Sequence, residues 1–151
     1  MYTVIDSPLG KLTLAEEEGK LTHLLFGAHN LGGQNGENDF LRTVKSQLEE
    51  YFAGRRKRFD IPVAPRGTDF QLKVWAALQQ IGYGDTASYK QIARMIGNPG
   101  ACRAVGGANN KNPISIVIPC HRVVGVSGSL VGYGGGMDKK VYLLQLENRH
   151  K

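Results

Sequence analysis

The sequence predicts a mixed α/β (α+β) fold, with a small antiparallel three-stranded sheet and one helix leading into a mostly helical half. Two observations predict it. Short apolar runs broken by turn residues fill the first 26 positions, and apolar residues recur at helical spacing behind two capping boxes between Thr68 and Ala108. A third observation divides the chain at the same place. Residues 1–66 hold nine Lys+Arg and nine Asp+Glu, whereas residues 67–151 hold ten against four, which is the whole net charge of +6. Residues 1–66 are therefore expected as an N-terminal α/β domain with a linker, and residues 67–151 as a second, basic domain.

Tyr2–Asp6, Lys11–Glu17 and Leu21–Phe26 are strand-like runs separated by Ser7-Pro8-Leu9-Gly10 and Glu18-Gly19, which gives an antiparallel meander. Residues 27–39 are polar and glycine-rich, a loop. Phe40, Val44, Leu48 and Tyr51 follow at helical spacing, and Gly54 stops that helix. Arg55–Arg58, Pro62 and Pro65 read as an extended, solvated linker. Nothing in this half signals chemistry, and His23 and His29 stand at no metal-ligand spacing.

In the basic half, Thr68 with Gln71 caps a helix through Phe70, Val74, Leu78 and Ile81. Ser88 with Gln91 caps a short helix through Ile92, Ala93 and Ile96, which Gly97 ends. Asn98-Pro99 is expected to open the next helix, through Ala101, Val105 and Ala108. Helix, tight turn, helix in a basic segment is the helix-turn-helix pattern. Gly106 and Gly107 lie inside the second helix, where each costs about 1 kcal/mol relative to Ala. They suit either close packing on a neighbouring helix or close approach to a groove of DNA.

With 41% apolar residues over 151 positions, the chain can bury a sizeable core. No apolar run approaches a bilayer span, and no secretory leader precedes the first strand, so an intracellular, cytoplasmic protein is expected. Two cysteines make no disulfide framework. The basic half points to a polyanion, with a plain solvated basic surface as the simpler alternative.

Ile114–Ile118 read as a buried strand, stopped by Pro119 and followed by Cys120, His121 and Arg122. A thiol with an ordinary pKa near 8.5 is mostly protonated at neutral pH and needs a base, which in turn needs a group to orient it. His121 is the evident base for Cys120. The basic half offers Asp69, Asp85, Asp138 and Glu147 as the orienting carboxylate. An inert buried cysteine is the competing reading.

Pro119-Cys120-His121-Arg122-Val123 resembles the active-site motif of the O6-alkylguanine-DNA alkyltransferases, or methylated-DNA–protein-cysteine methyltransferases. Ser88-Tyr89-Lys90-Gln91, Gly97-Asn98-Pro99, Arg103-Ala104-Val105-Gly106-Gly107-Ala108, Asn112-Pro113, Gly132-Tyr133 and Leu143-Leu144 stand in the family's order and spacing. The resemblance covers residues 67–147 almost continuously, and the strands and helix before them more loosely. It implies a winged-helix-like second domain and a DNA-repair protein that flips O6-alkylguanine, and with it O4-alkylthymine, out of duplex DNA. The alkyl group passes irreversibly to Cys120, so each molecule acts once and no cofactor or metal is implied. The implied partner is double-stranded DNA, bound through the minor groove without sequence preference by a monomer at the nucleoid, with no membrane.

Residue by residue, the resemblance implies Cys120 as nucleophile, His121 as base through a water, and Glu147 as the carboxylate orienting His121. Asn112 is implied to tie the second helix to the active-site turn. Tyr133 is implied to donate to N3 of the flipped guanine, the carbonyls of Cys120 and Val123 to accept from its amine, and the Gly134 N–H to meet O6. Lys140 is implied to hold the pocket and Tyr89 to crowd the target phosphate. Arg103 is implied to fill the vacated stack, with Ala104, Gly106 and Asn109 beside it on the DNA-facing helix. Gly134 removes a side-chain bond to O6 that some members make, Asn148 replaces a frequent glycine, and Cys102 is expected as a small filler. Two rivals stand beside this reading. A non-catalytic lesion-sensing relative would replace Cys120, and a Cys-His-Glu thiol hydrolase would leave the helix-turn-helix unexplained.

Overall fold

The computed structural model describes residues 1–125 and 136–151. Three strands, β1 (Tyr2–Ile5), β2 (Leu12–Glu17) and β3 (Lys20–Phe26), form an antiparallel sheet in sequence order. This is the meander expected from the two turns. Helix α1 (Asp39–Phe52) packs Leu41, Val44, Leu48 and Tyr51 inward, starts on the Asn38 cap and ends at Gly54. Gly54 has φ 77°, and a side chain there would run into the ring of His150 near the chain's other end. The glycine thus serves both the helix stop and a close approach between the two halves.

The stretch after α1 is held more firmly than a solvated linker. Leu21 N–H donates to the Pro62 carbonyl at 2.9 Å and Ala64 N–H to the Leu21 carbonyl at 2.8 Å, so Val63 bridges to the third strand. The prolines cannot donate, and the residues between them supply the bonds.

Both capping boxes form. Thr68 opens α2 (Asp69–Leu78), and Ser88 opens α3 (Tyr89–Met95), which follows the two-residue strand β4 (Ala87–Ser88). Helix α4 (Cys102–Asn110) begins later than Asn98-Pro99 suggests, with Ala101 as its uncapped start. Asn98 instead closes a turn, its carbonyl accepting from Ala101 N–H at 3.0 Å. The Asn-Pro pair made a turn here and not a cap. Trp75 of α2 is buried against α4 and donates to the Ala108 carbonyl at 2.9 Å, which fixes the helix-turn-helix on its support.

Ile114–Ile118 is not a strand. Ile114, Ile116 and Ile118 are all buried, yet the chain turns among them, with Ile116 at φ 71° and Ile118 N–H bonded to the Ile114 carbonyl at 3.0 Å. Alternating burial imitates a strand, but only Ile114 bridges to Leu24 of the sheet. A β-branched residue in the left-handed region costs on the order of 1–2 kcal/mol, so something must hold it. Asn112 does. Its Nδ2 donates to the Ile118 carbonyl at 2.8 Å and its Oδ1 accepts from Ile114 N–H at 3.0 Å, pinning both ends of the turn.

A 3-10 turn (Cys120–Arg122) leads into β5 (Val123–Val124), which pairs in parallel with β4. Helix α5 (Met137–His150) closes the described chain. One continuous apolar core joins the sheet, α1 and the helices of the second half. Among the described residues, no helix is long and apolar enough to cross a membrane.

Candidate active site

Two elements meet at one buried carboxylate. The 3-10 turn presents Cys120, His121 and Arg122 from one side, and the last turns of α5 present Glu147 from the other; all four are buried. Glu147 Oε2 lies 2.7 Å from His121 Nε2, which settles the choice among the four candidate carboxylates. Arg122 completes the cluster. Its Nε donates to Glu147 Oε1 at 2.8 Å, its Nη2 to Oε2 at 3.0 Å, and its Nη1 to the Ile81 carbonyl at 2.7 Å.

Two further donors come from places where the sequence shows no chemistry. Tyr51, at the end of α1 in the neutral half, donates to Glu147 Oε2 at 2.6 Å, and Gly84 N–H reaches Oε1 at 3.3 Å. The neutral half therefore reaches the site after all. Tyr51 is 96 residues from Glu147, and nothing in its sequence position reports the contact. Arg122 did carry a signal, since an arginine inside the apolar run from Ile114 to Val124 must be paired if it is buried.

The protonation states follow. Burial pushes the Glu147 carboxyl up, but hydrogen bonds from His121 and Arg122 and the charge of Arg122 more than offset this and hold it well below the usual range. His121 is displaced downward, chiefly by burial, with Arg122 and Lys140 adding to the effect and Glu147 opposing it. His121 is thus neutral at neutral pH, and Arg122 is the permanent counter-charge of Glu147. A carboxylate only accepts, so His121 Nε2 carries the hydrogen and Nδ1 is left with a lone pair. That Nδ1 is buried and makes no hydrogen bond among the described residues.

The surroundings of Cys120 come from the predicted residues. Pairing of Val123 with Ala87 places the turn beside the start of α3. Tyr89, the first residue of α3, is half-buried, and burial first and then proximity to Cys120 push its hydroxyl up, against the neighbouring Asn109 amide. Lys140 of α5 is buried and donates from Nζ to the Val123 carbonyl at 2.6 Å. Burial lowers its pKa, and the nearby Cys120 opposes that.

Asn109 is corrected. It was expected on the DNA-facing side of α4 but is 1% exposed, and its Nδ2 approaches the Cys120 carbonyl at 3.4 Å. Two residues past the exposed Gly107 is about 200° round the helix, which turns Asn109 to the opposite, inner face. Arg103, Ala104 and Gly107 do lie on that exposed face, with Gly106 partly covered. A side chain on Gly107 would meet nothing within 4 Å, and one on Gly106 only the Tyr89 ring at 3.8 Å, so packing on a neighbouring helix does not account for the two glycines. Cys102 is partly exposed, Cys120 is buried, and the two do not form a disulfide. Tyr133 and Gly134 lie outside the described residues.

Known proteins match this chain along its length. Residues 69–149 match the family model of the 6-O-methylguanine DNA methyltransferase DNA binding domain, and residues 1–65 that of its ribonuclease-like domain. The methylated-DNA–protein-cysteine methyltransferase of Mycolicibacterium paratuberculosis is 51% identical, over 99% of this chain and 93% of its own length. The constitutive methylated-DNA–protein-cysteine methyltransferase of Bacillus subtilis is 43% identical, over 97% and 94%. The crystal structure of Mycobacterium tuberculosis OGT in complex with DNA superposes with a TM-score of 0.92 at 50% identity, covering 99% of this chain and 93% of that one. The chain belongs to the 6-O-methylguanine DNA methyltransferase family, whose members repair DNA by moving an alkyl group onto a cysteine of their own.

Proposed function

We propose that Cys120 accepts the alkyl group in the DNA repair that this chain carries out. The observation behind this is the buried His121–Glu147 pair, next to Cys120 on the same 3-10 turn, in which a neutral imidazole is oriented by a carboxylate that Arg122 keeps ionised. His121 Nδ1 takes the thiol proton through a bridging water. The Sγ–carbon bond forms as the bond from the alkyl carbon to guanine O6 breaks, and the electron pair leaves with the base. The imidazolium then balances the charge on the departing guanine until a proton reaches it. Lys140 adds a cation near the developing thiolate. A thioether has no easy route back, so the reaction runs once per molecule. The Cys120 thiol serves in this role because it sits on a rigid turn, held by Asn112 and by the β4–β5 pairing.

DNA would meet the exposed face of α4; that the mycobacterial relative is solved in complex with DNA supports DNA as the partner. The glycines and Ala104 allow close approach in the minor groove, with few side chains available to read base edges, so binding is independent of sequence. Arg103 fills the stack vacated by the flipped base and Tyr89 crowds the target phosphate. The division into 1–66 and 67–151 belongs to the same reading, as does action by a monomer in the cytoplasm on nucleoid DNA. The test uses duplex DNA containing O6-methylguanine. The parent protein restores guanine, while Cys120→Ala binds the duplex and restores none; restoration by Cys120→Ala would overturn the assignment.

A further inference from the structure

We propose that Tyr51, from the N-terminal helix α1, is a positioning residue of the transfer reaction that sets the basicity of His121 through their shared acceptor, Glu147 Oε2. The proposal rests on the reading of His121 as the base for Cys120. Tyr51 Oη and His121 Nε2 approach this one oxygen at 2.6 and 2.7 Å, and all three side chains are buried. A carboxylate oxygen that already accepts a short, buried hydrogen bond has less charge left to offer a second donor. Tyr51 therefore limits how strongly Glu147 can hold a proton on His121. Without it, the imidazolium would be better stabilised, and the free base would be lost at a higher pH.

Tyr51 is a fixed donor. Burial foremost, and then Glu147, push its hydroxyl far above the working pH, so it does not ionise. It is also held in place, since its ring meets Phe59 at 5.3 Å and stands edge-on to Tyr83 at 6.2 Å. The other charged or titratable groups facing the cluster are Arg122 from the turn, Lys140 from α5, Cys120, and Tyr83 from the loop before β4. Arg122 already supplies the counter-charge, so a third donor on Oε2, besides His121 and Arg122 Nη2, is not needed to keep Glu147 ionised. What it changes is the share of that oxygen available to His121.

The experiment compares the parent, Tyr51→Phe and Tyr142→Phe by the pH dependence of single-turnover methyl transfer from O6-methylguanine duplex DNA. In parallel, the His121 titration is followed by NMR of ring-labelled protein. In Tyr51→Phe the acid limb of the rate and the His121 titration should both move up by about half to one pH unit, a three- to tenfold change in proton affinity. The plateau rate at high pH should stay within a few-fold. Tyr142→Phe, which removes a hydroxyl from α5 away from Glu147, should move neither. Replacing Tyr51 with a fluorinated tyrosine, a stronger donor, should shift both curves down. A His121 titration that does not respond to Tyr51 overturns the proposal. A titration that moves while the acid limb stays put also overturns it, and places the failure in the role of His121 as base.

Discussion

Arg122 grips Glu147 with two nitrogens, Nε at 2.8 Å from Oε1 and Nη2 at 3.0 Å from Oε2, and both side chains are buried. The planar guanidinium matches the carboxylate edge in a way a lysine cannot. It is this pair, beside the histidine, that keeps Glu147 ionised inside the protein. Buried ion pairs of this kind are costly to break, because the remaining charge has no water to turn to.

Arg122→Met should therefore destabilise the protein by about 3–5 kcal/mol. Arg122→Lys should fall between the two, since it keeps the charge and loses the fork. Urea unfolding of the three proteins at neutral pH measures this. A loss well under 1 kcal/mol for Arg122→Met would show that the pair contributes nothing beyond packing.

Glu147→Gln should slow methyl transfer by on the order of 100-fold or more at neutral pH, because the amide no longer fixes the His121 tautomer. Part of the loss should return at higher pH, where Cys120 ionises with less help. Single-turnover rates from pH 6 upward, at roughly the ordinary histidine range and above, provide the check. A rate equal to the parent's at neutral pH would remove Glu147 from the mechanism.

Stability should fall steadily in acid. Unfolded, His121 and Glu147 return to ordinary values of 6.5 and 4.5, and both lie lower in the folded protein. The folded state thus binds fewer protons than the unfolded one below 6.5, first through His121 and then, below 4.5, through Glu147. Each such proton steepens the loss by up to about 1.4 kcal/mol per pH unit. The contribution of the Glu147 cluster is fully present above 4.5 and disappears as pH falls through the folded value. Urea midpoints across this range that stay flat would contradict the assigned protonation states.

Arg103→Ala should separate extrusion from chemistry. Arg103 is exposed on α4, away from the buried relay. If it fills the gap in the stack, repair of duplex DNA should drop by about 100-fold or more while reaction with free O6-benzylguanine stays near normal. If saturating DNA restores the duplex rate in full, Arg103 is a phosphate contact only.

Much of this was legible in the sequence, and for local reasons. The capping boxes at Thr68 and Ser88 and the meander depend on neighbours in the chain, and each appears where expected. Errors arose where tertiary contacts overrule local pattern. Ile114, Ile116 and Ile118 alternate like a strand, but the Asn112 clamp bends them into a turn. Asn109 shares a helix with Arg103, and the helical phase sends its side chain inward. Tyr51 was invisible for a different reason: its bond to Glu147 spans nearly two-thirds of the chain and joins two halves that differ in charge and pattern.

The central claim is that one thiol, Cys120, is the acceptor and acts once. Incubating the protein with excess duplex DNA containing O6-methylguanine and mapping the modified peptides by mass spectrometry tests it most directly. The account predicts one added methyl group per molecule at saturation, carried on the peptide that contains Cys120, with Cys102 unmodified. Methyl on Cys102, or continued repair after Cys120 is filled, would contradict it.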